Sequence, residues 1–203
     1  MFLSRITMQI SSPSVRQGLS NYQDMHRTLM KAFNCNRKEA GLLYRVIKTE
    51  KCIYLYAQSV AYPHWERIEK NGYHCDKIQD VSELLTRFHN DMVLRFSVLT
   101  CPTKKIRGEG KNSKRALLRD ESERFNWLNR QGEKNGFRVI EAHEAEKEVS
   151  LQVSKVNGDF TLTGILFEGV LQIADLDAFQ NAFLYGIGAE KAYGFGMLMI
   201  GKA

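Results

Sequence analysis

One order of elements occurs twice along this chain, and that repetition limits the fold more than any other feature. Alternating apolar side chains at Ile6, Met8 and Ile10 mark a strand, and the polar stretch 11–20 reads as a loop. Asn21 can cap the next element, a helix with Asp24 in its first turn and apolar side chains at Met25, Leu29 and Phe33. Two β-rich runs, 42–47 and 52–57, are joined by the polar tetrapeptide Lys48-Thr49-Glu50-Lys51, a hairpin signal. A short helix over 65–70 and a strand over 74–79 complete the order βαββαβ.

The same order returns after residue 90. A strand over 92–99 precedes a basic loop, and a helix over 119–133 carries Phe125, Trp127 and Leu128 on its apolar side. Strands follow from Phe137, with Asn157-Gly158 turning the chain between Leu151-Gln152-Val153 and Phe160-Thr161-Leu162. Asp175 or Asp177 caps a last helix ending at Tyr185, and a glycine-rich run over 186–196 leads into a strand over 197–200. The pattern predicts an α+β chain of two tandem ferredoxin-like (βαββαβ, RRM-like) domains, 1–88 and 89–203, with a C-terminal glycine-rich loop. A single continuous mixed domain is the alternative, and 203 residues suffice for either.

Twenty-nine Lys and Arg against 23 Asp and Glu favour an anionic partner, and the excess is clustered. Lys104, Lys105, Arg107, Lys111, Lys114, Arg115 and Arg119 fall close together with one acid, Glu109, among them. Such a run is either a solvated loop or a surface laid against a phosphate backbone; Gly108, Gly110 and Asn112-Ser113 suit the second. Cys35, Cys52, Cys75 and Cys101 match no zinc or redox spacing, so they read as free thiols in a reducing cytosol. The first ten residues lack the apolar core of a signal peptide, and no apolar run approaches the roughly 18 residues that span a bilayer. A cytoplasmic chain with no membrane contact, monomeric on its own, is the expectation.

In the run Gly186-Ile187-Gly188-Ala189-Glu190-Lys191-Ala192-Tyr193-Gly194-Phe195-Gly196, four glycines surround one lysine. Glycine admits positive φ and close approach, and free N–H groups beside a lysine attract anions, so Gly186, Gly188, Lys191, Gly194 and Gly196 are candidate phosphate contacts. The spacing is neither Gly-x-Gly-x-x-Gly nor a P-loop, and the run follows a helix where both motifs precede one. No nucleotide cofactor is expected.

Several segments, taken in order, resemble one family. Asn21-Tyr22-Gln23-Asp24-Met25-His26-Arg27-Thr28-Leu29, Leu43-Tyr44-Arg45-Val46, Leu94-Arg95-Phe96 before Pro102-Thr103-Lys104, Trp127-Leu128, Phe167-Glu168-Gly169-Val170-Leu171 and the glycine-rich run follow the sequence of features in the CasE family. These are the type I-E CRISPR-associated endoribonucleases of the RAMP superfamily. The resemblance implies two ferredoxin-like folds and a metal-independent cut in CRISPR repeat RNA, 3′ of a short stem-loop. It also implies that the chain stays on the mature guide RNA with the other Cascade subunits, and that no cofactor is needed.

RNA supplies its own nucleophile, the 2′-OH, so such a cut needs alignment and two proton transfers. Among five histidines, His26 occupies the family's catalytic helix context, followed by Arg27. At about 100° per residue, Tyr22, His26, Leu29 and Phe33 lie within roughly 60° of one another. His26 therefore borders the apolar face, which suits a cleft wall or the edge of a core. The family tyrosine usually precedes the histidine by three residues, where this chain has Gln23; Tyr22, one residue earlier, is either the proton donor or orienter, or a packing residue. Lys31, about 140° around the helix from His26, serves better as a backbone contact, as does Arg27. Lys111, Lys114, Arg115 and Arg119 lead the remaining RNA contacts, with Lys104, Lys105 and Arg107 beside them. His64, His74, His89 and His143 lack ligand spacing, and Glu144, Glu146 and Glu148 alternate as a solvated face would. A non-catalytic RNA-holding subunit and a DNA-binding regulator are the rival functions.

Overall fold

The protein is described by a computed structural model covering residues 1–106, 114–156 and 158–203. Strand β1 (Phe2–Met8) leads to α1 (Pro13–Ser20), a helix where the polar sequence suggested a loop. Pro13 at the first helical turn pre-sets φ, and only Val15 and Gly18 are buried, so the helix has almost no apolar stripe to announce it. Gly18 is tied to packing: a Cβ there would stand 2.5 Å from the Tyr73 hydroxyl. Next come α2 (Tyr22–Met30), α3 (Arg37–Ala40), β2 (Leu43–Lys48), β3 (Ile53–Ser59), α4 (Glu66–Glu69) and β4 (Tyr73–Asp80). These strands form one antiparallel sheet in the order β2-β3-β1-β4.

Helix α5 (Ser82–Arg87) crosses to the second half. There β5 (Val93–Thr100), a small hairpin of β6 (Thr103–Ile106) and β7 (Lys114–Leu117), α6 (Glu121–Lys134), β8 (Phe137–Lys155), β9 (Gly158–Ile173), α7 (Leu176–Tyr185), a 3-10 turn (Lys191–Tyr193) and β10 (Met199–Lys202) follow. The second sheet is also antiparallel, ordered β10-β5-β9-β8. Asp120 caps α6 by accepting from the Glu123 N–H at 3.0 Å, and Asp175 rather than Asp177 caps α7, accepting from Ala178 at 3.1 Å. The β8–β9 ladder closes at Lys155 opposite Gly158, while Asn157 of the expected turn lies outside the described residues.

The solvated face expected at Glu144, Glu146 and Glu148 is corrected at one position. A register shift between Val139 and Glu141 changes which side chains of β8 turn inward, so Glu144 lies opposite Phe167 beneath α6. Its carboxylate is 2% exposed and grips the Arg124 guanidinium through two bonds, at 2.5 and 2.8 Å. Glu146 and Glu148 remain exposed.

Two apolar clusters hold the molecule together. The first contains Ile6, Met25, Leu29, Leu55 and Trp65, yet also Leu99, Val153, Leu166 and Phe195 from the later half. The second gathers Phe96, Leu128, Phe137, Phe167 and Phe179, and takes in Phe88 with partly buried Met1 and Leu84. Polar bonds add to this exchange: Arg45 donates to the Ser97 hydroxyl at 2.7 Å, and the Gln58 amide donates to the Phe183 carbonyl at 2.6 Å.

Candidate functional site

Helix α2 is held at its start by Asn21, whose side chain accepts from Gln23 N–H at 3.1 Å and from Ser154 N–H on the long hairpin at 2.9 Å. Burial of Met25, Thr28 and Leu29 fixes the helix face. His26 stands beside that face, half-buried, with Nδ1 buried and, among the described residues, without a hydrogen-bond partner. Burial, and then the positive charge of Arg37, lower its pKa to about 4. The ring is thus a neutral imidazole at neutral pH, able to accept a proton. A buried polar atom left unpaired costs about 1–3 kcal/mol, so carrying that cost at Nδ1 marks the imidazole, whose other nitrogen is Nε2, as a candidate for use.

Tyr22 and His26 share the helix but not one environment. Tyr22 is buried with Tyr44 and Tyr73, and burial pushes its phenol up to about 12. It lines a cleft of about 270 Å³ with Arg45 and Glu146, in which His26 takes no part. Gln23, three residues before His26, accepts from the Tyr193 hydroxyl at 3.0 Å. The Tyr193 ring is buried, lies edge-on to Phe160 at 6.4 Å, and receives the Lys155 ammonium over its face at 5.4 Å. Sequence reasoning passed over Tyr193 and Arg37. The first was hidden inside a run scanned for glycines, and the second comes near His26 only because the chain turns back after α2.

The glycine-rich run is a folded-over loop. Gly186, Gly188, Gly194 and Gly196 all have positive φ. Ile187 N–H donates to Gly196 carbonyl at 2.9 Å and Gly196 N–H to Leu99 carbonyl at 2.7 Å, so these two donors are spent inside the protein. A Cβ on Gly196 would lie 2.3 Å from the Ile187 oxygen, and ones on Gly188 and Gly194 would meet the Trp127 and Tyr44 rings at 3.3 Å. Lys191 donates to the carbonyls of Tyr185 at 2.9 Å and Gly186 at 2.7 Å, closing the end of α7. Burial, together with Arg37 and Lys134, lowers its pKa.

Between this loop and α6 opens a cleft of about 410 Å³ whose walls include Arg115, Lys134, Lys191 and Trp127. Among the described residues three cations and no carboxylate line it, a balance that suits an anion. Lys134 was not singled out from the sequence, since it stands alone at the end of a helix. The other expected cations are dispersed. Arg27 is exposed and pairs with Asp24 at 3.3 Å; Lys31 is exposed at the end of α2. Lys104 pairs with Glu123 at 2.8 Å, and Arg119 is exposed, its carbonyl accepting from Arg124. Arg107 and Lys111, with the side chains of Lys105 and Lys114, lie outside the described residues. Among the described residues no three metal-ligating side chains converge, and His64 and His74 bond instead to Glu66 and Glu69.

A neutral, desolvated imidazole, a guanidinium whose charge it feels and a cationic cleft suit proton transfer beside a phosphate. The family model described as CRISPR associated protein matches residues 1–202. The chain belongs to that family. Within it, the CRISPR-associated endoribonuclease Cse3 (CasE) of Thermus thermophilus is 27% identical over 216 residues, spanning 98% of this chain and 99% of the relative. Thermus thermophilus Cse3 bound to an RNA representing a pre-cleavage complex superimposes with a TM-score of 0.87 at 24% identity, over 98% of both chains. Cas6e from Escherichia coli K-12 gives 0.77 at 23% identity over the whole of both chains. A subunit of a CRISPR RNA-guided surveillance complex in a pre-nicking state gives 0.76 at 22% identity, again over the whole of both chains. The α+β fold with antiparallel sheets is therefore the fold of these family members.

Proposed function

We infer that this family member is a CRISPR RNA-processing endoribonuclease that cuts precursor RNA within the repeat, 3′ of the stem-loop, and remains on the mature guide RNA as a Cascade subunit. The observation that carries the reading is His26: a half-buried imidazole with an orphaned Nδ1, held neutral, in a chain matched along its whole length to Cse3.

The chemistry follows from that state. Neutral His26, through Nε2, takes the proton of the 2′-OH as its oxygen attacks the adjacent phosphorus. The P–O5′ bond breaks, leaving a 2′,3′-cyclic phosphate on the upstream piece, and the departing 5′ oxygen gains a proton from the imidazolium or from water. An approaching phosphate favours the protonated ring and so raises its pKa from the low value of the free protein. The cleft of Arg115, Lys134 and Lys191 holds the sugar-phosphate backbone, and Arg37 offsets charge that develops on the pentacoordinate phosphorus. Gln23, tied to Tyr193, keeps α2 in register with the loop.

We read the fold as two ferredoxin-like halves, 1–88 and 89–203. Support comes from the same βαββαβ order and the same permutation of strands in both sheets. The compartment we infer is the cytoplasm, where precursor RNA is made; the four cysteines are free, and among the described residues no helix is long and apolar enough to cross a membrane.

The test is incubation of the protein with its cognate repeat RNA, with and without a 2′-deoxy sugar at the cut. A 5′ piece ending in a cyclic phosphate, lost on 2′-deoxy substitution and in His26→Ala, is the expected result. A stable complex without product would make the chain a holder of RNA, an outcome that the inward-turned Tyr22 would then explain.

A further inference from the structure

Lys191 belongs to two cavities. The second, of about 550 Å³, is walled by Arg37, Lys38, Leu42, Leu43 and Tyr185 besides Lys191. Its make-up is unlike that of the cleft beside α6. Leu42 and Leu43 form a buried apolar floor, the Tyr185 ring is 46% exposed, and among the described residues no carboxylate lines the wall. Arg37 and Lys38 are exposed, and among the described residues neither side chain bonds to a carboxylate or carbonyl. The backbone on both sides is fixed: Gly41 caps α3 at φ +58°, and Lys191 clamps the Tyr185 carbonyl.

An open aromatic ring and buried aliphatic side chains in one cavity, bordered by Arg37 and Lys38, match a nucleotide better than a free anion. The base would gain by stacking and its phosphate by pairing with a planar guanidinium. We propose that this cavity is a subsite for the single-stranded nucleotide adjoining the cut, with its base on Tyr185 and its phosphate on Arg37 and Lys38. The proposal rests on the RNA-processing reading and names a contact for that same substrate. Its location follows from Lys191, which it shares with the cationic cleft beside α6, and agrees with the charge of Arg37 being felt at His26. Among the described residues the lining has no amide or carboxylate side chain to read a base edge, so the subsite should accept any base, purines more tightly than pyrimidines.

The experiment uses the full chain and repeat RNAs blocked by a 2′-deoxy sugar at the cut, with an abasic nucleotide immediately 5′ or immediately 3′ of it. For the native protein, one of the two abasic RNAs should bind about tenfold more weakly, the effect of one lost base–aromatic stack. Tyr185→Ala should weaken intact RNA by a similar factor and no longer distinguish the abasic one, while Tyr185→Phe behaves as native. Arg37→Gln should lower the salt dependence of binding by roughly the slope of one single-strand phosphate, about 0.7. Equal affinity of native protein for abasic and intact RNAs, or unchanged discrimination in Tyr185→Ala, overturns the subsite. A bare stem-loop that fails to bind would instead defeat the RNA-processing reading, which keeps the two failures apart.

Discussion

Both halves of the molecule set a helix after their first strand region against an antiparallel sheet of the same strand permutation, yet α2 and α6 treat an inward ionisable side chain in opposite ways. On α6, Arg124 is met by both oxygens of Glu144 and by the Arg119 carbonyl. On α2, His26 has no hydrogen-bond partner for Nδ1 among the described residues and is held uncharged instead. A satisfied buried pair serves the architecture; an unsatisfied buried imidazole is a cost that the proposed chemistry would use. Removing each should therefore injure a different property.

The largest effect belongs to His26. His26→Ala should slow cleavage of the cognate repeat by a factor of roughly 10²–10⁴, the usual worth of a positioned proton carrier, in a timed single-turnover assay. Affinity for a 2′-deoxy-blocked RNA should stay within a few fold, and unfolding by urea should shift little. If stability collapsed with activity, the contrast with α6 would fail. Glu144→Ala is the mirror experiment. It leaves a guanidinium of 10% exposure without its carboxylate, so urea unfolding should show a loss of about 3–5 kcal/mol. At a temperature where that variant is folded, its rate should match the native one.

The glycine-rich loop sharpens the comparison, because it touches both helices: Gly188 meets Trp127 of α6 and Tyr193 bonds to Gln23 of α2. Gly196→Ala combines φ of +80° with a Cβ contact of 2.3 Å to backbone, and should cost about 3 kcal/mol. Gly158→Ala, at φ +124° but with open space around it, isolates the conformational part, so its loss in the same urea titration should be smaller.

Element order was legible in the sequence because apolar alternation and caps act locally: Asn21, Asp120 and Asp175 start their helices through bonds to N–H groups two or three residues on. Helix α1 escaped, since its burial rests on Val15 and Gly18 alone. Glu144 escaped because a register shift in β8 reverses the inward parity, which no count of alternation detects. His26 was singled out by its family context, while the groups that bear on α2 from elsewhere in the chain were not. Tyr193 reaches α2 through a hydrogen bond spanning 170 residues, Arg37 through its charge alone, and the phosphate-facing role assigned to Lys191 has to share that side chain with two carbonyls.

The smallest of these effects is a dependence on pH, and it too separates the helices. The folded-state pKa of His26, about 4, lies below the ordinary value of 6.5, so between the two the unfolded chain binds the proton more readily. Stability is full above pH 6.5 and is lost as pH falls toward 4. At about 1.4 kcal/mol per pK unit, reduced by solvent screening of a half-buried ring, this one group should remove about 1 kcal/mol between pH 6.5 and 5. Unfolding of His26→Ala across that range should lack this portion of the slope, measured as the difference from native protein in parallel urea titrations. Arg37→Gln should keep part of it, because burial, the larger cause, remains while the repelling charge is gone. The pair on α6 titrates elsewhere: Arg124 holds the Glu144 carboxyl below its ordinary range, so its contribution persists through pH 5 and fades only in stronger acid. Identical slopes for native protein and His26→Ala between pH 6.5 and 5 would show that the imidazole is not held neutral by burial, and with that the difference between α2 and α6 would reduce to one of packing.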